Sequence, residues 1–110
     1  MSLAREELAD RVRDMLPPNA MVREKRMFGG IAFMLNGNML VCPVKDGSMM
    51  VRVGKDGMTE ALEHGAEQMT MGERTMAGFV IVTGDMVEDE DSLAAWIERA
   101  RRFVETLPPQ

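Results

Sequence analysis

The 110-residue sequence predicts an α+β domain, an antiparallel sheet with helices packed on it. Three observations lead there. Amphipathic helical patterns open and close the chain. Between them, short apolar runs are separated by Asn36-Gly37 and Asp46-Gly47, dipeptides that suit tight hairpin turns. Within those runs the side chains alternate at a period of two, not 3.6. The order read is α-β-β-β-α-β-β-α, a single domain over residues 1–110 with no linker, repeat or low-complexity segment.

Residues 3–16 form the first predicted helix. Leu8, Val12, Met15 and Leu16 share one apolar face, Ser2 is placed to cap it, and Glu6 and Glu7 suit the positive end of its dipole. Pro17-Pro18 stops it. Residues 19–26 read as a connector with a basic cluster, Arg23, Lys25 and Arg26. The stretch "RMFGGIAFMLNGNMLV" follows. Gly29-Gly30 permit a bend at the strand entry, and Ile31, Phe33 and Leu35 alternate onto one face. Asn36-Gly37 turns the chain into a return strand at about Met39–Val44, and Asp46-Gly47 into a third at Met49–Val53. Most positions in these strands are apolar on both faces. A sheet with one wet face alternates more cleanly, so a helix or another subunit is expected to cover part of the second face.

Residues 56–64 read as a short helix with Asp56 as its cap and Gly65 as its stop. Residues 66–71 fit a short strand weakly, "MGERTMAG" holds a turn, and "FVIV" at 79–82 is a β-branched and aromatic strand that ends at Gly84. The last helix is the clearest element. Leu93, Trp96, Ile97, Ala100, Val104 and Leu107 form one stripe, Asp91 or Ser92 caps it, Glu98 is spaced to pair with Arg102, and Pro108-Pro109 closes it.

Composition narrows the function. Apolar residues at 45% and charged residues at 28% suit a folded globular chain rather than a disordered one. No apolar run approaches the roughly 20 residues of a membrane span, and the N-terminus lacks the apolar core of a signal peptide, so a cytoplasmic location without membrane contact is expected. The net charge of −5 argues against direct nucleic-acid binding, which needs cations to displace counterions. One cysteine, Cys42, leaves no internal disulfide and too few soft ligands for structural zinc. The 13 methionines and absent tyrosine are unusual; methionine is a flexible, polarisable filler that also suits adaptable contact surfaces.

Candidate chemistry is sparse. Gly29-Gly30 are followed by a strand where a phosphate loop needs a helix, and no Lys-Ser/Thr pair appears. Cys42 and His64 could act as a nucleophile pair only if they met in space, and Cys42 falls mid-strand where a buried, inert thiol is expected. The acidic run 88–91 with Asp85 lacks the calcium-loop pattern and is read as capping the last helix. The methionines are scattered, so core filling is preferred to copper binding. Arg99, Arg101 and Arg102, with Arg23, Lys25 and Arg26, form either a salt-bridged face or a basic patch.

At "RMFGG" the chain resembles a known family. That segment, then "SMMVRV", "GAEQM", "ERTMAGFVIV" and the closing helix, is similar to the N-terminal domain of the TfoX/Sxy family across nearly the whole sequence. The matching positions are Arg26, Met27, Phe28, Gly29, Gly30, Arg52, Gly65, Met76, Gly78 and Phe79. Several positions that are aromatic in the family are held here by other residues, often methionine. The resemblance implies a secretion-chaperone-like α+β fold. It also implies kinship with regulators of natural competence, which assist a cyclic-AMP receptor protein in transcription and carry a second, helical domain. This chain is expected to be the first domain standing alone. The family supplies no catalytic residues.

The sequence therefore leads to a small non-enzymatic regulatory or protein-interaction domain. A homodimer and a protein partner in transcription are expected, with no cofactor or metal. Arg26, Met27, Phe28, Gly29, Gly30, Arg52, Met76 and Gly78 are the candidate interaction positions. The alternative is a small-molecule binder or enzyme with one site where Arg26, Phe28, Gly29, Gly30 and Arg52 converge.

Overall fold

The structure, a computed structural model, describes residues 3–16, 22–27, 29–44, 46–71 and 74–108. Helix α1 spans Leu3–Met15. Four strands follow, β1 at Val22–Met27, β2 at Gly30–Leu35, β3 at Asn38–Pro43 and β4 at Met49–Arg52. Helix α2 at Met58–Glu63 leads to β5 at Glu67–Met71 and β6 at Arg74–Val82. A 3-10 turn at Gly84–Val87 precedes the long helix α3, Glu90–Val104. The six strands make one antiparallel sheet in the order β1-β2-β3-β4-β6-β5.

The predicted α+β class holds, with one more strand than expected. The basic connector is β1, an edge strand whose Arg23, Glu24, Lys25 and Arg26 are all exposed. Charge along an edge blocks pairing with other sheets and removes the apolar alternation that betrays a strand. The strand read at 79–82 begins earlier, at Arg74, and pairs with β5 along its length. Two caps also differ. Gly57, not Asp56, precedes α2, and the Asp89 carboxylate accepts from Ser92 N–H at 3.0 Å to cap α3. Glu98 pairs with Arg101 rather than Arg102. The predicted cap Ser2, the stop Pro17-Pro18 and Pro109 lie outside the described residues.

Turn chemistry sets the register. Asn36 (φ 54°) and Gly37 (φ 85°) close the β2–β3 hairpin on the Leu35–Asn38 pair, as a type I′ turn requires. Phe33 pairs with Val41 and Met34 with Met39, so Leu40 is an inserted residue; Leu40 and Val41 both join the core beneath the helices.

That core is a single helix-on-sheet layer. Leu8, Ala9 and Val12 of α1, Ala61 of α2, and Leu93, Trp96, Ile97, Ala100 and Val104 of α3 pack against Phe33, Val41, Val51, Val80 and Val82. Five of the six residues read as the α3 stripe are this buried set; the sixth, Leu107, lies beyond the end of the helix and is half-buried. Beyond α3, Pro108 O accepts from buried Asn38 Nδ2 at 3.0 Å, tying the end of the chain to β3.

Candidate functional site

All three helices contribute to the core on one face of the sheet. The other face carries a second apolar cluster built from strand residues and the adjoining Val44. Ala32, Met39, Cys42 and Met50 are its buried centre, ringed by half-buried Met27, Met34, Met69, Met76 and Phe79. Six of the methionines therefore share one surface. The sequence reading expected a helix or another subunit over part of this face; among the described residues no helix covers it. Directly opposed residues in a sheet point to the same side. Arg23 and Lys25 oppose Met34 and Ala32, so they stand on the β1 rim of the methionine face. Glu67 opposes Ile81, which opposes Met50, so Glu67 stands on its β5 rim.

The candidate positions divide between places instead of converging. Met27 and Met76 belong to the methionine face. Gly29 lies in the β1–β2 turn with φ 70°. Gly30 is there because nothing larger fits: a Cβ would stand 2.2 Å from Pro43 O and 2.9 Å from Cys42 Sγ. Phe28 lies outside the described residues. Arg26 opposes Ile31 on the helix side of β1, in a cleft shared with Glu6, Arg13 and Glu24. Arg52 stands at the end of β4, three strands away, in a different cleft with Gly54, Gly78 and Phe79. A single site joining Arg26, Gly30 and Arg52 is not formed. Neighbouring strands lie about 4.8 Å apart, and a buried, side-chain-free Gly30 presents nothing to a ligand.

Cys42 and His64 do not meet either. Cys42 is fully buried on the methionine face, while His64 is exposed at the end of α2, in the helix layer. Burial pushes the Cys42 thiol up to about 11, which disfavours the thiolate. The basic residues do not merge into one patch. Arg99 pairs with Glu60, and Arg101 with Glu98 and Glu105, whereas Arg23, Lys25 and Arg26 occupy the far edge of the sheet. No three His, Cys, Asp or Glu side chains stand together as a metal site among the described residues. No helix there is long and apolar enough to cross a membrane.

What sequence reasoning missed was the convergence of the methionines and the surroundings of Arg52. Alternation could have put Ala32 and Met34 on one face, but only the register β1-β2-β3-β4-β6-β5 brings Met27, Met50 and Met76 beside them.

No curated protein matches the chain. A family match covers residues 14–104, from the last turn of α1 to the end of α3, and includes every strand of the sheet. On that match the chain belongs to the TfoX N-terminal domain family.

Proposed function

We propose that this domain is a non-catalytic interaction module that pairs with a second copy of itself through the methionine face. The observation that carries the reading is that face: an apolar cluster on the side of the sheet away from the helices, ringed by half-buried methionines. Methionine's unbranched, polarisable side chain adapts to a partner surface better than a branched one. The rim charges support a like partner. A two-fold axis parallel to the strands lays β1 of one copy over β5 of the other, which brings Arg23 and Lys25 towards the partner's Glu67. Such a contact is self-complementary and occurs twice. Family membership supports a regulatory setting. In it the dimer serves a transcription complex by contacting protein rather than nucleic acid, in keeping with the net charge of −5.

Light scattering coupled to gel filtration tests the pairing. The expected mass at micromolar concentration is that of a dimer. Met34→Glu with Met76→Glu should give a folded monomer, since both side chains are only half-buried. Lys25→Glu should weaken the dimer, and Glu67→Lys in the same chain should restore it. A wild-type chain that stays monomeric at micromolar concentration overturns the proposal.

A further inference from the structure

We propose that the cleft around Arg52 binds a small organic anion, a carboxylate or phosphate ester carried on a flat apolar body. Four features of the cleft lead there. The first is the placement of the guanidinium. Arg52 Cζ lies 5.4 Å from the centroid of the Phe79 ring and 5.7 Å from that of Phe103. Both contacts are within cation–π range, and they hold the planar group in place before any ligand arrives.

The second is the backbone built to admit those rings. Gly54 has φ 78°, and a Cβ there would stand 2.4 Å from Phe103 Cδ1. Only glycine lets the α3 ring lie against this turn. Opposite it, Gly78 O accepts from both Val53 N–H at 2.9 Å and Gly54 N–H at 3.0 Å, so two residues oppose one and the strand bends at this point. Gly78 N–H in turn donates to Met58 Sδ at 3.1 Å, anchoring the bend to α2.

The third is an unmet charge. Arg13, Arg99 and Arg101 each have a carboxylate partner, and Arg11 donates to Glu88 O. Arg23, Arg26 and Arg102 are exposed to water. Arg52 is half-buried, yet among the described residues no carboxylate pairs with it and no carbonyl accepts from it. A guanidinium with rings against it keeps its N–H edge for an oxyanion, and a bidentate carboxylate or phosphate matches that edge. Asp56 lines the same cleft but is exposed, and Lys55 beside it is a second cation. The cleft is thus net positive in a chain of net charge −5.

The fourth is size. The cleft holds about 460 Å³, within the range of small-molecule sites, and Phe79 and Phe103 give it apolar walls for the body of the ligand. Arg52 opposes Phe79, which borders the methionine face, so the cleft opens beside that face at the end of β4.

Amide chemical-shift titrations of the full chain test this, with phenyl phosphate, benzoate, inorganic phosphate and neutral benzyl alcohol as probes. Phenyl phosphate or benzoate should give saturable shifts at Gly54, Gly78 and Phe79, with benzyl alcohol and inorganic phosphate each weaker by about tenfold or more. Arg52→Gln should lose at least about tenfold in affinity, while Arg52→Lys, a cation without the planar fork, should retain part of it. Phe103→Leu should weaken the aromatic probes and leave inorganic phosphate unchanged. If Arg52→Gln fails to fold, the Arg52→Lys and Phe103→Leu pair carries the test. The inference is overturned if no probe saturates in the millimolar range, if shifts centre elsewhere, if benzyl alcohol binds as well as benzoate, or if inorganic phosphate binds as well as phenyl phosphate. Scattering on the same samples reports the oligomeric state, so loss of binding and loss of the dimer are read separately.

Discussion

A thiol with no solvent exposure, packed among apolar side chains, is held in its neutral form, and the neutral thiol is a poor nucleophile. Cys42 is such a thiol. It is 0% exposed, and among the described residues its Sγ finds two distant backbone oxygens, Met27 O at 3.9 Å and Pro43 O at 3.8 Å. With its acidity pushed to about 11, a disulfide reagent at pH 8 should leave Cys42 unmodified in the native chain and react fully in denaturant. Rapid native labelling would contradict the burial. The mid-strand position of Cys42 made this much visible in the sequence. The reason for Gly30 was not visible. A paired glycine before a strand reads as a bend, and Gly29 does make the turn. Gly30 is required by the close approach of Pro43 O and Cys42 Sγ, a contact between strands that one strand's own sequence cannot show.

At the scale of elements, β1 is joined to β2 by its ladder and tied to α1 by charge. Arg13 Nε and Nη2 donate to the two Glu24 oxygens at 2.6 and 2.7 Å, joining α1 to the edge strand. The hydrogen bond from Arg13 holds the Glu24 carboxyl below its ordinary value. A carboxyl with a lowered folded-state value stabilises the fold above its unfolded value, and that contribution is lost as pH falls through the folded one. Both groups are well exposed, so Glu24→Gln should cost less than about 1 kcal/mol at pH 7. The difference from wild type in urea unfolding should vanish in acid; an equal difference at pH 7 and pH 3 would show that the pair does not act through charge. The same chemistry explains why β1 reads as a connector. Its interior residues are all charged, and its strand character comes from the ladder to β2. Helix α3, with five buried side chains on one stripe, was legible because its own periodicity carries it. Its cap was less so: any of several acids could serve, and the end of the 3-10 turn at Val87 selects Asp89.

The whole molecule is asymmetric across its sheet, with a helix layer on one face and a methionine face on the other. The sequence anticipated apolar residues on both faces but not that six methionines, from Met27 to Met76, would share one of them. That grouping depends on β6 lying between β4 and β5, a pairing between distant segments. Likewise Arg52 and Phe103 meet only because α3 packs back over the end of β4. Methionine oxidation reads this asymmetry directly, since sulfoxide formation follows exposure of the sulfur. Met49 and Met50 are fully buried and should resist hydrogen peroxide until the chain unfolds. Met27, Met34, Met69 and Met76 on the strand face are half-buried, and so are Met15, Met58 and Met86 on the helix side. In a monomer the two sets should oxidise at comparable rates. In the proposed dimer the strand-face set is covered, so peptide mapping should find it oxidised several-fold more slowly than Met15 and Met86. That gap should close on dilution below the dissociation constant. Sulfoxides that do form there would place polar groups in an apolar contact and shift the equilibrium towards monomer. Equal rates for both sets at every protein concentration would mean that the methionine face stays open to solvent.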